Sequence, residues 1–444
     1  MQEELIKTLS NLLYGLSVGV WAWMYYTGWV KTRQVEAERE GEQRTPQNHP
    51  RSPKDCPECA AQHGACVEHT TVREVEAWSK RKGKRGRPKV VESDGYFCNN
   101  EDCEYYGISD SSIHALVSHG RRCKREAVQY WKCEACQKVS SARRNTPMYR
   151  LHTPSQRVQE VTTALAEGVD LAAGSRIFRH DERTLQRWLE RSAQHAQRVH
   201  EHFFNDLVCA HLQLDELVTK VRGQAQRVFI WVALEAQTKI IPVIHLGRRT
   251  NADAQRFVHE LWQRLSKIHI PLFTTDGLRA YYNALTAHFG EWVWSEGKRL
   301  PQWQVSPQLL YAQLRKVKSG YRLKDLYTTV MCGTRTQFCN ALTALGLSEH
   351  IQTAFIERLN LTLREHIAPL ARRTLALAGS EHLLSIHLEW FRAYYHFVLP
   401  HESLRLPVGA KPGRYRARTP AMAAGLTRRR WCVRELLLMP MPPA

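Results

Sequence analysis

The chain has 444 residues, of which 43% are hydrophobic and 24% are charged. This apolar content can bury at least one large core and excludes wholesale disorder. At roughly 100–200 residues per domain, the length predicts two to four domains. The 63 Lys and Arg residues against 43 Asp and Glu give a formal net charge of +20, which favours a polyanionic partner, either nucleic acid or an anionic membrane surface.

The N-terminal part of the chain is apolar. Residues 8–30 carry no charged side chain and are just long enough to span a bilayer. We favour a packing or oligomerisation helix over a membrane helix, because the segment contains many glycine, tyrosine and tryptophan residues. Glu3 and Glu4 occupy positions that would be basic in a signal peptide. We take residues 1–33 as an apolar segment and the polar, proline-containing residues 34–55 as a linker.

Residues 56–150 are predicted to form a small metal-binding region. Eight of the 12 cysteines lie there, several in close pairs, which is unlike a secreted disulfide framework and indicates a reduced, cytoplasmic setting. Two pairs about thirty residues apart can supply the four ligands of a tetrahedral Zn²⁺ site: Cys98 with Cys103, and Cys133 with Cys136. Aromatic residues beside them would form a small core that cannot fold without the metal. The alternative is a loop with free thiols.

A third close pair, Cys56 and Cys59, precedes these four cysteines. It could bind a second zinc ion together with Cys66 and His69, or it could share a site with one of the later pairs. The spacing leaves both arrangements open, so the number of zinc ions is one or two.

A basic segment, KRKGKRGRPK (80–89), lies between the cysteine pairs. It resembles an AT-hook, an extended arm in which Arg85 and Arg87 would enter the narrow minor groove of A·T-rich DNA. A solvated basic linker is an equally supported alternative.

Residues 151–205 are predicted to be helical throughout. Residues 153–156 (TPSQ) form a capping-box pattern with proline at the first helical position. A short helix over 171–178 follows, and Asp181 is expected to cap a longer helix. This order suits a helix-turn-helix unit, although three helices can also be a plain packing module. The last helix would present to base edges and phosphates the side chains of Arg183, Gln186, Arg187 and Arg191.

From residue 209 the hydrophobic pattern changes from a period of 3.6 to a period of 2. We predict strands over 209–218, 227–235 and 239–247, a helix over 251–266 and a further strand over 270–275. Three strands, a helix and a strand in this order indicate a mixed α/β sheet. Residues 290–350 are basic and unassigned. Residues 351–375 are predicted to be strongly helical.

Three acidic residues stand out by their positions. Asp215 lies within the first strand, Asp276 follows an apolar strand, and Glu357 begins the long helix, with Asn360 and Arg364 on the same helix face. Acids placed in this way can converge on two divalent ions that promote phosphodiester cleavage, and oxygen ligands favour Mg²⁺ or Mn²⁺. Each acid alone could instead be an ordinary solvent-facing residue. The neighbouring residue, Glu216, is expected on the opposite strand face and therefore outside the ligand set.

The blocks around these acids read LDEL (214–217), TTDGLRAYYNAL (274–285) and FIERLNLTLREHIAPLARRT (355–374). They resemble the signature blocks of DDE transposases from bacterial insertion sequences. The most similar group is the one typified by the first-named insertion sequence, whose catalytic block has the same ERxNLxLRxH pattern. RTPAMAAGLTRRRW (418–431) is similar to the C-terminal block of the longer members of that group. The resemblance covers residues from about 95 to 435, and the third block is its most specific part.

This resemblance implies an RNase H-like catalytic domain over 206–400, an N-terminal zinc ribbon, a helix-turn-helix module and a basic tail over 401–444. It implies metal-dependent cleavage and strand transfer on double-stranded DNA, at terminal inverted repeats and at a target. By motif position, Asp215, Asp276 and Glu357 carry over as the metal-binding triad, while Asn360 and Arg364 are candidate DNA-contacting or supporting residues.

The expected setting is the nucleoid in the cytoplasm, with a homodimer or larger assembly on DNA. Basic residues within 311–324 and 411–430 would line the DNA path. The apolar segment 8–30 and the Cys56–Cys59 pair fall outside the family pattern. Two other functions stay open, a nuclease or resolvase that cuts without joining, and a catalytically inactive zinc-containing DNA-binding regulator.

Overall fold

The computed structural model of the chain describes residues 75–81, 92–123, 126–294, 300–320, 322–347, 350–408 and 413–443. Several of the predictions above lie outside these residues: the apolar segment 8–30, the linker 34–55, the Cys56–Cys59 pair, Arg85 and Arg87. Within the described ranges, no helix is long and apolar enough to cross a membrane.

The cysteine region contains a small antiparallel sheet. A single-turn helix, α1 (Trp78–Arg81), is followed by three strands in the order β1-β2-β3: β1 (Leu116–Arg122), β2 (Val128–Cys133) and β3 (Val139–Ser141). The side chains of Phe97, Tyr105 and Trp131 are buried beside the cysteines. These aromatic residues therefore supply the small core that their positions predict.

Three helices follow in the predicted order, which confirms the helical assignment of this segment: α2 (Ser155–Ala166), α3 (Leu171–Phe178) and α4 (Glu182–Phe203). Asp181 caps α4 as predicted, because its carboxylate accepts a hydrogen bond of 2.9 Å from the Arg183 amide.

The capping box predicted at the start of α2 is wrong. No side chain of the flanking residues caps this helix. Instead, the Ser155 amide donates to Glu126 Oε2 at 2.9 Å, and Glu126 is held in place by Arg143 at 2.6 Å. A carboxylate from the β1–β2 connection therefore provides the acceptor and the negative charge that a helix N-terminus favours, and it ties α2 to the cysteine region.

The central element is a six-stranded mixed sheet in the order β11-β10-β7-β4-β5-β6. It confirms the predicted mixed α/β class. Strands β7 and β10 run parallel to β4 and to each other, whereas the remaining pairs are antiparallel. The strands are β4 (His211–Lys220), β5 (Arg227–Glu235), β6 (Ile244–Gly247), β7 (Leu272–Asp276), β10 (Tyr311–Ser319) and β11 (Arg322–Cys332). A separate hairpin is formed by β8 (Gly290–Val293) and β9 (Gln302–Val305).

The third strand is shorter than predicted. Of residues 239–247, only Ile244–Gly247 pair as a strand. Pro242 has no N–H group to donate to a strand ladder, which limits pairing before this point. Residues 290–350, unassigned from the sequence, contain two hairpins and a helix, Arg335–Ala344.

The helices of this part are α5 (Asn251–Arg264), α6 (Arg279–His288), α7 (Arg335–Ala344), α8 (Ala354–His366) and α9 (Glu381–Phe397). The helical range predicted over 351–375 is too long, because α8 ends at His366, shortly before Pro369, which cannot donate a helical hydrogen bond. Helix α8 lies across β4 and β5. Its position is fixed by Gln213 of β4, whose Oε1 accepts from the Ile356 amide at 2.9 Å and whose Nε2 donates to the Gln352 carbonyl at 2.8 Å. Odd-numbered residues of β4 therefore face α8.

The C-terminal residues return to the helical region. They form β12 (Leu406–Pro407), β13 (Tyr415–Arg416), α10 (Pro420–Ala423) and α11 (Val433–Leu438), and α11 packs against α2, α4 and α9. One hydrophobic cluster joins residues of α2 and α4 with residues of the sheet and α9. At the end of α4, the ring of Phe204 stacks on His200 and on His396, with centroid distances of 4.3 and 4.5 Å. The helical region and the sheet therefore share one core.

Candidate metal centres

Two of the predicted acids lie side by side on neighbouring parallel strands. The pairing of His211–Leu214 with Leu272–Thr275 places Asp215 and Asp276 one residue beyond the last paired position. Because His211 Nε2 lies 2.8 Å from Thr274 Oγ1, the alternating side chains of both strands put these two carboxylates on the same face of the sheet. That face is the one covered by α8.

Glu216 joins this pair, which contradicts its predicted exclusion. It does face the opposite side, where Tyr281 Oη donates to Oε2 at 3.0 Å and Arg249 contacts Oε1 at 2.7 Å. Nevertheless, carboxylate oxygens of Asp215, Glu216 and Asp276 all lie within 4.8 Å of one another. Strand β7 ends at Asp276, so beyond that residue no backbone separates the two faces and the longer Glu216 side chain reaches the other two.

Glu357 lies on α8, as predicted, but outside this three-carboxylate group. Its Oε1 accepts a hydrogen bond of 2.6 Å from Thr353 Oγ1 and forms an ion pair with Lys316 of β10. One helical turn later, Asn360 Nδ2 donates to Asp215 Oδ2 at 2.7 Å. The helix thus brings Asn360 into contact with the acidic group and Glu357 close to it. The Glu357 carboxylate is paired with a lysine.

The carboxylates repel one another in a largely desolvated place. Burial is the main factor that raises the pKa of Asp215 to about 7, and the charges of Glu216, Asp276 and Glu357 add to it. Burial and Asp276 also raise the pKa of Glu216, against the lowering effect of Arg249. A divalent cation relieves such repulsion, since opposite charge favours the ionised carboxylates.

The donor set fits a hard divalent cation. Carboxylate oxygens are the ligands that Mg²⁺ and Mn²⁺ prefer. In addition, Asn360 Oδ1 is buried without a hydrogen-bond partner beside Asp215, so a further oxygen acceptor is available at the same place. The acidic group can therefore bind Mg²⁺ or Mn²⁺ through Asp215, Asp276 and neighbouring oxygens.

Arg364 contacts the segment that follows α8. Its Nη1 donates to the Leu370 carbonyl at 3.4 Å, and burial lowers the pKa of its guanidinium. The neighbouring His366 lies 3.6 Å from Glu167 of the α2–α3 connection. Both contacts help to hold the end of α8 in place.

The candidate DNA-contacting residues of α4 divide into two sets. Arg183 and Arg187 are exposed one turn apart, and Gln186 is half-buried. Arg191, by contrast, donates from Nε to the Pro147 carbonyl at 2.8 Å and from Nη2 to the Tyr149 carbonyl at 2.5 Å. Its guanidinium holds the turn that precedes α2, a structural role that its sequence position does not reveal.

The four predicted cysteines form a compact group. The sulfurs of Cys98, Cys103, Cys133 and Cys136 all lie within 4.8 Å of one another, with Cys98 and Cys136 3.6 Å apart and Cys103 and Cys133 3.8 Å apart. A tetrahedral site with Zn–S bonds of about 2.3 Å needs sulfurs about 3.8 Å apart. The group therefore suits a tetrahedral Zn²⁺ site.

The electrostatics of this cluster favour a thiolate at Cys133. The hydrogen bond from the Cys98 thiol lowers the pKa of Cys133, with help from the backbone amides of Cys136 and Ala135. His114, in the same region, is engaged elsewhere, since its Nε2 lies 3.0 Å from the Ser93 carbonyl and its Nδ1 accepts from the Leu116 amide. The four cysteines thus form a complete ligand set.

No protein-family model matches this sequence, and no curated protein matches it. What the two centres can do is therefore decided by their own chemistry. The sequence motifs identify Asp215, Asp276, Glu357 and Asn360, whereas Arg249 and Tyr281 have no local signal because tertiary contacts alone bring them to Glu216.

Proposed function

We propose that this chain is a DDE-type DNA transposase that binds the ends of a mobile DNA segment and catalyses metal-dependent strand cleavage and strand transfer. The observation that carries the proposal is the placement of Asp215 and Asp276 side by side under a helix that bears Glu357 and Asn360. The strand order, with three antiparallel strands followed by two parallel ones, supports an RNase H-like domain.

In the proposed reaction, Asp215, Asp276 and Glu357 hold two divalent ions. Bound ions of this kind activate the attacking oxygen and stabilise the leaving oxygen of a phosphodiester. Asn360 orients the Asp215 carboxylate through its 2.7 Å hydrogen bond. Glu216, fixed by Arg249 and Tyr281, adds negative charge that attracts cations to the site.

The proposed reaction requires no protein nucleophile. The attacking group is water in the cleavage step and the freed DNA 3′-hydroxyl in the joining step, and both steps proceed in the same site. The side chains act by positioning and by charge neutralisation. A site built from carboxylates and an amide is suited to these two roles.

DNA binding is assigned to three features. The exposed Arg183 and Arg187 begin α4, where a recognition helix contacts base edges. The cysteine group on its three-stranded sheet supports a zinc ribbon that would hold the same DNA. Arg315 and Lys316 of β10 lie beside the carboxylates. Together with the net charge of +20, they supply the phosphate contacts on which DNA affinity depends.

The test uses purified protein, labelled DNA carrying the ends of the element, and Mg²⁺. We expect 3′-end nicking and joining by the wild type, and binding without nicking by Glu357→Gln. Glu365→Gln, an exposed acid on the same helix, is the control and should cleave normally. Nicking without joining would establish a nuclease or resolvase, and binding without nicking by every variant would establish a regulator.

A further inference from the structure

The long hairpin of β10 and β11 projects past the carboxylate site. Strand β10 pairs with β7 only as far as Leu314, which is opposite Asp276, whereas its pairing with β11 continues to Ser319. The two residues at the point of departure from the sheet are Arg315 and Lys316, both of them exposed. Side chains alternate along a strand, so these two cations lie on opposite faces of it.

Arg315 lies directly over the turn that follows Asp276. A Cβ atom built on Gly277 would lie 2.8 Å from Arg315 Cγ and 3.1 Å from its Nε, so a larger residue at 277 would force this arginine to move. The guanidinium is further held by Gln313, whose Oε1 lies 3.5 Å from Nη2. One cation is therefore packed against the strand end that supplies a catalytic carboxylate.

Lys316 lies on the other face, the face of Asp215, Asp276 and α8. Its ammonium forms the ion pair with Glu357, and Glu357 stands outside the three-carboxylate group. The two side chains remain 34% and 45% exposed, and ion pairs this exposed are weak. A divalent ion that took Glu357 as a ligand would therefore displace Lys316 easily.

We propose that Lys316 binds a phosphate of the DNA backbone beside the carboxylates, and that it becomes fully available to this phosphate when a divalent ion takes Glu357. This inference rests on the proposed function and adds an order to it. The divalent ion binds first, and Lys316 then contacts the DNA phosphate. A lysine ammonium is a suitable phosphate ligand because it is a compact point charge on a flexible stem.

The salt dependence of DNA binding tests this order. Each phosphate contact contributes about −0.9 to the slope of log affinity against log salt. We measure binding of the full-length protein to a short DNA duplex, once in chelator and once in Ca²⁺. In Ca²⁺, Lys316→Met should have a slope shallower than the wild type by about 0.9. In chelator this difference should be smaller, because Glu357 competes with the phosphate for Lys316 in the wild type.

Two further variants separate this exchange from a general loss of charge. Lys324→Met removes an exposed lysine of the same hairpin, further from the carboxylates. Its slope should differ from that of the wild type by the same amount with and without Ca²⁺. Glu357→Gln frees Lys316 without metal, so in chelator its slope should be steeper than the wild-type slope by up to about 0.9.

A Mn²⁺ titration without DNA provides a readout that does not depend on activity. Loss of the competing ammonium should make Mn²⁺ binding to Lys316→Met tighter by about threefold, with Lys324→Met unchanged. The exchange is refuted if Lys316→Met alters the salt slope equally in Ca²⁺ and in chelator, or in neither. If the salt slopes and the Mn²⁺ affinities are as expected but the protein never nicks element ends, only the proposed function is refuted.

Discussion

The two candidate metal centres differ in how the chain assembles them. The cysteine group comes from residues 98–136, one short stretch, and its sulfurs already have the 3.6 and 3.8 Å separations of a tetrahedral site. The carboxylate group comes from residues 215–357, on two strands and a helix, and only three of its four acids lie together. The fourth is paired with a lysine.

This difference indicates two kinds of metal use. A site whose ligands are buried, closed and locally connected holds its ion as part of the fold. A site whose ligands are partly exposed, mutually repelling and supplied by distant elements can take up and release ions and substrate. We therefore expect the zinc to be structural and the Mg²⁺ or Mn²⁺ to be exchangeable.

The largest expected effect is the loss of zinc. Cys103→Ser should lower the zinc content by about one ion per chain and unfold the cysteine region, since structural zinc contributes about 10–16 kcal/mol in small domains. Elemental analysis and limited proteolysis measure both outcomes. The control, Cys339→Ser on α7, lies outside the cluster and should keep its zinc. If Cys103→Ser stays folded without zinc, the distinction between the two centres fails.

Next in size is the effect of Asp276→Asn on catalysis. The change keeps the shape of the side chain but removes a charged ligand, so cleavage should fall by at least about a thousandfold. DNA binding, measured by gel shift, should stay within about twofold of the wild type, since the change removes no phosphate contact. Loss of binding together with cleavage would mean that this acid is structural, like the cysteines.

The pH dependence of metal binding sharpens the contrast further. Below the Asp215 pKa of about 7, a divalent ion must displace a proton that the carboxylate holds more tightly than an ordinary aspartate does. Mn²⁺ affinity should therefore fall about tenfold per pH unit below pH 7 and level off above it. Zinc should stay bound over the same range, because the cluster favours a thiolate at Cys133. Calorimetric titration at several pH values checks this, and a flat Mn²⁺ profile would contradict it.

The smallest effect concerns the helix contact at the carboxylates. Asn360→Ala removes the amide that orients Asp215 and should weaken Mn²⁺ binding by about tenfold, the lower range for groups that orient metal ligands. Thr362→Ala, on the same helix but bonded only to its own backbone, is the matched control. Equal affinities of Asn360→Ala and wild type would show that α8 does not shape the site.

The sequence predicts most of what lies in periodic segments and least of what depends on tertiary contacts. The helices at 155–203, the mixed sheet and the four-cysteine group follow from local spacing. Glu126 as the cap of α2 and Arg191 as a brace for residues 147–149 do not, because each partner comes from another element. The alternation of side chains along β4 places Glu216 on the correct face. It cannot show that β7 ends at Asp276, where the Glu216 carboxylate can reach the other two acids.

The site shows the same limit. The acids and Asn360 can be predicted from motif and helix spacing. The ion pair between Glu357 and Lys316 cannot be predicted in this way. The β10–β11 hairpin departs from the usual strand pattern where it leaves the sheet, and its basic residues resemble any DNA-binding surface. Which cation faces which carboxylate depends on register, and register is fixed by the pairing of β10 with β7.

Helix α4 has a mechanical consequence for the proposed function. Its 22 residues form a rod about 33 Å long, with Arg183 and Arg187 at one end and Phe204, stacked into the core that carries the carboxylates, at the other. In the proposed function, this helix would set the distance from the recognised bases to the cleaved bond.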